Sequence, residues 1–185
     1  MATTIQPSIF IKQDRDPKLG RIWVLRASQT LPRPVDEVFP FFADAHNLEK
    51  LTPSFLKFNV LTPRPIDMQS GTQIRYKLKV RGLPIYWKTT ILDWDPPRQF
   101  VDTQDSGPYA LWHHTHIFEP TKDGSATVCT DTVRYKPKGW FLAGLINKFF
   151  VQRDVENIFR YRFDQLDKIF SQNEDEISEP ALARA

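Results

Sequence analysis

The sequence predicts an α+β domain: a seven-stranded antiparallel sheet curved around a long C-terminal helix, with two short helices after the first strand. Three observations predict it. Six segments of β-forming residues follow one another between residues 55 and 135, joined by short turns, and such a series implies an antiparallel meander. Residues 141–170 carry a helical pattern whose second half sets Val155, Ile158, Phe159, Phe163, Leu166, Ile169 and Phe170 on one face. That stripe suits the concave side of a curved sheet. Finally, 185 residues with 41% hydrophobic and 13% aromatic content are enough for one domain with a large core or an apolar pocket.

Residues 1–20 read as a loose lead-in. RIWVLRASQTL, residues 21–31, is the first strand, stopped by the Pro-Arg-Pro of residues 32–34. Pro34 is placed to open a helix through VDEVFPFFAD, which Pro40 keeps short or kinks. HNLEKLTP reads as a second short helix ended by Pro53. The strands FLKFNVLTP (55–63) and GTQIRYKLKVR (71–81) follow. In the latter, Ile74, Tyr76, Leu78 and Val80 alternate with Arg75, Lys77, Lys79 and Arg81, the period-two pattern of a sheet with one wet face. Gly82-Leu83-Pro84 is read as the turn into IYWKTTILDW (85–94). Pro96-Pro97 turns into RQFVDTQ (98–104), and LWHHTHIFE (111–119) and SATVCTDTVRY (125–135) complete the sheet. The terminal helix spans about 45 Å if it runs unbroken from Phe141 to Phe170. Residues 21–170 thus form the domain, and residues 171–185 a flexible acidic tail.

The net charge is +3, and the tail holds four acids and one arginine. The rest of the chain is therefore mildly basic, too weakly for a nucleic-acid binder. Cys129 is the single cysteine, so no intrachain disulfide forms. Residues 1–20 lack an apolar signal core, and WFLAGLINKFFV (140–151) is too short to span a bilayer. A cytoplasmic protein is expected. Phosphate loops, the dinucleotide-binding glycine pattern and the G-x-S-x-G elbow are all missing from the sequence.

Three constellations carry chemistry. In the strand LWHHTHIFE, His114 and His116 point the same way as Trp112 and Phe118, while His113 points the other way. A His-x-His pair needs a third ligand to hold zinc or iron. Gly107, His114, His116, Glu119 and Gly124 approach a cupin pattern, but the spacings are off and Glu119 faces away. No metal or other cofactor is expected. The histidines are read instead as lining a mixed polar and apolar pocket. The second constellation is polar groups on apolar faces: Asp102 and Gln104 beside Phe100, Asp131 beside Val133 and Tyr135, and Arg162 among the apolar residues of the last helix. A charge there needs a partner, and Asp102 and Asp131 are the expected ones. The third is the basic stripe Arg75, Lys77, Lys79, Arg81, read as a solvated outer face because no aromatic residue interleaves on it.

The layout resembles the START-like (SRPBCC) superfamily over about residues 21–170. The features that carry it are LPRPVDEVFPFFADAHNLEKLTP, GTQIRYKL, ILDWDPPRQFVDTQDSGPYALWHHTHIFEP, TVCTDTVRYKP and NIFRYRFDQLDKIF. The form L-P-x-P-x-x-E-V-F-x-F-F-A-D is similar to the polyketide cyclase/dehydrase and coenzyme Q-binding START-like branch. The resemblance implies a helix-grip fold with a cavity between sheet and last helix that holds an apolar or amphipathic molecule. It does not imply catalysis, because members range from enzymes to carriers.

The expected function is therefore binding of a hydrophobic or aromatic small molecule, with transport as its extension, in the cavity between the sheet and the C-terminal helix. Tyr76, Trp87, Trp112, Phe159 and Phe163 would supply apolar wall. Asp102, Gln104, His114, His116, Asp131 and Arg162 would orient the ligand. The rival is a cyclase or dehydratase with His114 or His116 as acid or base. A third reading is a membrane-surface or protein interaction module that uses the basic stripe and WFLAGLINKFF.

Overall fold

Alternating apolar residues set the register of the sheet, since a one-residue slip would turn every core side chain outward. The computed structural model describes residues 7–139 and 151–171. Its chain order is β1 (Ser8–Asp16), β2 (Gly20–Leu31), α1 (Val35–Ala43), 3-10 turns at Ala45–Glu49 and Ser54–Leu56, β3 (Asn59–Val60), β4 (Gln73–Val80), β5 (Leu83–Asp95), β6 (Gln99–Ser106), β7 (Tyr109–Pro120), β8 (Thr127–Pro137) and α2 (Gln152–Ser171). All eight strands belong to one antiparallel sheet, ordered β1-β2-β8-β7-β6-β5-β4-β3. The curved sheet and the long C-terminal helix are those of a helix-grip fold.

The sheet has one strand more than expected. Ser8–Asp16, inside the segment read as a lead-in, pairs with β2 along its full length, from Ser8 opposite Ser28 to Asp16 opposite Gly20. Ile9 and Ile11 are its half-buried apolar residues and pack against the core, while its other face is wet. Asp16 closes the hairpin by accepting hydrogen bonds from the backbone N–H groups of Lys18 and Leu19.

Three further expectations change. Residues 55–63 are strand only at Asn59–Val60, because Ser54–Leu56 form a 3-10 turn. The second short helix is likewise 3-10, and Asp44 caps it by accepting the His46 backbone N–H. The β4–β5 turn consists of Arg81 and Gly82, with Leu83 already paired to Val80. Both turn residues have positive φ, 52° and 84°, the backbone of a tight hairpin whose twist matches its strands. By contrast, α1 runs through Pro40, which sits in a nine-residue helix and so removes only one internal hydrogen bond. The expected helix start at Phe141, the segment 140–150 and the tail after Ser171 lie outside the described residues.

Among the described residues the core has three parts. Trp23, Leu25, Ala27, Val133 and Tyr135 of β2 and β8 meet Val155, Phe159 and Phe163 of α2. Farther along the helix, Leu166 and Phe170 pack with Phe39, Phe100, Phe118 and Cys129. Ile74, Tyr76 and Ile91 form a third group under Ala45, Leu48 and Phe58. Helix α2 thus covers the β1–β2–β8 half of the concave face, and the α1–β4 connection covers part of the β4–β5 half. Between them lie the inward residues of β6 and β7.

Candidate functional site

Strand pairing alone brings the polar groups together. Asp102 on β6 stands opposite His114 on β7, and His116 stands opposite both Phe100 on β6 and Asp131 on β8. Directly opposed residues of antiparallel strands share a face, so all five point inward. Arg162 enters the same space from α2.

The contacts are short. His116 donates from Nε2 to Asp102 Oδ2 at 2.9 Å, and His114 Nε2 to Asp131 Oδ1 at 2.9 Å. His114 Nδ1 lies 3.7 Å from Asp102 Oδ2. His116 Nδ1 lies 2.8 Å from Asp131 Oδ1 but off the line of a good hydrogen bond. Each carboxylate therefore touches both rings, which are tilted 35° to each other with centroids 3.7 Å apart. Arg162 Nη2 is 3.6 Å from Asp131 Oδ1, and its guanidinium lies over Phe42 and Phe159 at 5.3 and 5.8 Å. His114, His116, Asp131 and Arg162 are buried, whereas the Asp102 side chain keeps 16% of its surface exposed.

Burial makes these charges interdependent. For Asp131, desolvation favours the neutral acid, but the Arg162 charge, the His114 hydrogen bond and the close approach of His116 hold its carboxyl well below the usual range. Burial lowers the His114 pKa, as does the neighbouring His116, and Asp131 only partly offsets this. Burial opposes charge on His116 too, but its hydrogen bond to Asp102 and the nearby Asp131 carboxylate overcome that and raise its pKa.

An aromatic wall adjoins this network. Trp112 meets the edge of His114 at 6.3 Å and packs against Trp87, Tyr109 and Tyr135. Trp87 donates its indole N–H to Thr89 Oγ1. Tyr76 stands opposite Trp87 and packs on Phe58, and burial pushes its phenol up, with the Asp102 charge adding to the effect. Phe159 reaches His114 at 5.9 Å.

Of the residues singled out in the sequence, Asp102, His114, His116, Asp131 and Arg162 come together, with Trp112 and Phe159 against them. Trp87 and Tyr76 lie one and two strands farther on. Phe163 faces the β2–β8 core instead, and Gln104 spends both ends of its amide on the Tyr109 backbone across the β6–β7 turn. Arg162 pairs with Asp131 and not with Asp102. His113 faces the other way, as its place in the strand requires. Sequence reading missed Phe100, which stacks on His116 at 4.0 Å, although its shared face with Asp102 is a legible signal. It also missed Phe42, which no local pattern connects to Arg162. The basic stripe does have an aromatic neighbour: Tyr86 on β5 lies opposite Lys77, whose ammonium sits 5.6 Å from the ring.

The sequence model of the family described as polyketide cyclase / dehydrase and lipid transport matches residues 23–170. The chain belongs to this family. Solved structures share the fold. The Zhui aromatase/cyclase of a Streptomyces species superimposes with a TM-score of 0.67 at 17% identity, covering 86% of this chain and 99% of its own. A START superfamily protein of Mycobacterium smegmatis gives 0.61 at 10% identity, over 81% and 98%. A protein of Thermus thermophilus gives 0.55 at 21% identity, over 77% and 96%. At these identities the likeness is one of fold. Comparison with curated protein sequences gives no match. Family membership points to a START/polyketide cyclase-like fold that takes hydrophobic ligands. Among the described residues, no helix is long and apolar enough to cross a membrane.

Proposed function

We propose that this protein binds a hydrophobic or aromatic small molecule against the inward face of β4–β7, beside α2. The observation that carries the reading is the contrast on that face. Trp87, Trp112 and Tyr76, with Phe159 of α2 beside them, offer apolar and aromatic surface, and the buried Asp102–His114–His116–Asp131–Arg162 network adjoins it. Apolar walls with a few fixed polar groups are what a small-molecule site needs: area supplies affinity, and the polar groups set orientation. Asp102 is the member of the network closest to solvent and the one through which a ligand hydroxyl or carbonyl would be read.

The test is a native mass spectrum of the purified protein, followed by denaturation and identification of any released molecule. A co-purifying apolar ligand, whose rebinding quenches tryptophan fluorescence and is weakened by Trp112→Ala, supports the reading. A ligand-free protein that binds no member of a panel of fatty acids, quinones and aromatic polyketides overturns it.

One observation favours an enzyme instead. Two imidazoles in contact, each with its own carboxylate, form a ready proton relay beside a ligand surface. A cyclase or dehydratase would then lose turnover, while keeping ligand affinity, in His114→Asn and His116→Asn. The membrane-surface reading rests on the exposed Leu83 and Tyr86 near the basic stripe. Flotation with acidic vesicles separates it from the other two.

A further inference from the structure

The sequence leaves the His-x-His pair one ligand short of a metal site, and the fold supplies that ligand. We propose that Asp102, His114 and His116 bind one divalent metal ion of the zinc class. This inference is independent of the small-molecule reading.

The first argument is convergence. One ligand atom from each of the three residues lies within 4.8 Å of the other two. Asp102 Oδ2 faces Nε2 of His116 at 2.9 Å and Nδ1 of His114 at 3.7 Å. Ligand atoms around a tetrahedral ion with bonds of about 2.0–2.1 Å are roughly 3.3 Å apart. The two distances to Asp102 bracket that value and the two histidine nitrogens lie within 4.8 Å of each other, so side-chain shifts of an ångström or so admit the ion.

The second argument is the opposite side of the rings. Asp131 Oδ1 lies 2.9 Å from His114 Nε2 and 2.8 Å from His116 Nδ1, the two ring nitrogens turned away from Asp102. Ligating histidines commonly give their second nitrogen to a carboxylate, which fixes the tautomer and aims the other lone pair at the metal. Here one carboxylate serves both rings, and Arg162 anchors it. Asp102, in contrast, has no lysine or arginine partner in the described residues, so its charge is available to a cation.

The third argument is ligand chemistry. Two imidazoles and one carboxylate form a mixed nitrogen and oxygen set that suits zinc and its neighbours rather than calcium or magnesium. Three protein ligands also leave a coordination position open.

The experiment uses the full chain, stripped with a chelator and titrated with Co(II) followed by visible absorption, then with Zn(II) in competition. One equivalent of each is expected, with Zn(II) displacing Co(II). Asp102→Asn and His116→Asn abolish saturable binding, and Asp131→Asn weakens it by about 10–100-fold. His46→Asn and His113→Asn, which change the other two histidines, leave it intact. Circular dichroism establishes that each variant is folded, and His114→Asn replaces any ligand variant that is not. No saturable binding by the wild-type chain overturns the proposal, as does binding that survives Asp102→Asn or disappears in His46→Asn or His113→Asn.

Discussion

Asp131 on β8 and Arg162 on α2 form the one buried contact between carboxylate and guanidinium that joins sheet to helix among the described residues, at 3.6 Å. Neither charge is stable alone at that depth. Removing one member of a buried pair typically costs several kcal/mol, because the other is left unneutralised.

Arg162→Met is therefore expected to destabilise the protein by roughly 3 kcal/mol. Asp131→Asn in the same chain should recover part of that loss, since it removes the stranded charge. Denaturant unfolding of the two single variants and the double variant measures the coupling. Additive effects would show that the pair is not coupled.

Cys129 lies in the core beside Phe118, and burial pushes its thiol pKa up, with the Asp131 charge acting the same way. A thiol kept protonated and covered is a poor nucleophile. At pH 8 the folded protein should react with an aromatic disulfide reagent far more slowly than the unfolded chain, which should give one thiol per molecule. Equal rates would contradict the packing of α2 over this part of the core.

Asp16 sets an acid limit on the β1–β2 hairpin. Hydrogen bonds from the Leu19 and Lys18 backbone, with Arg134, hold its carboxyl below the ordinary 3.8. A carboxyl depressed in the folded state contributes stability above its unfolded pKa, and this is lost as pH falls through the folded value. Asp16→Asn should lower the melting temperature at pH 7, with the difference from wild type shrinking below about pH 4. Parallel melting curves down to pH 2 would refute this.

Gln104 is expected to act on fold rather than on ligand. Gln104→Ala removes the donor and the acceptor that clamp Tyr109, at a cost of roughly 1–2 kcal/mol. Because Tyr109 packs on Trp87 and Trp112, the tryptophan emission should shift as well. An unchanged spectrum and melting curve would return Gln104 to the ligand-facing set.

Local patterns in the chain were enough for much of this protein. Alternation of period two set the strands β4, β7 and β8 and put His114 and His116 on one face with Trp112. Helical spacing placed Arg162 among Val155, Phe159 and Phe163. Both rest on backbone geometry, which acts over a few residues. The first strand was hidden because, as an edge, SIFIKQDRD needs only Ile9 and Ile11 inward. Its turn, Asp16-Pro17-Lys18-Leu19-Gly20, is the signal that reveals it. Only the tertiary structure decided which partner each polar group takes. The pairing of β6 with β7 gave Asp102 to His116, the pairing of β7 with β8 gave Asp131 to both rings, and the path of α2 gave Arg162 to Asp131 over Phe42. Those choices depend on strand order and on contacts between residues far apart in the chain, and no short-range pattern encodes either.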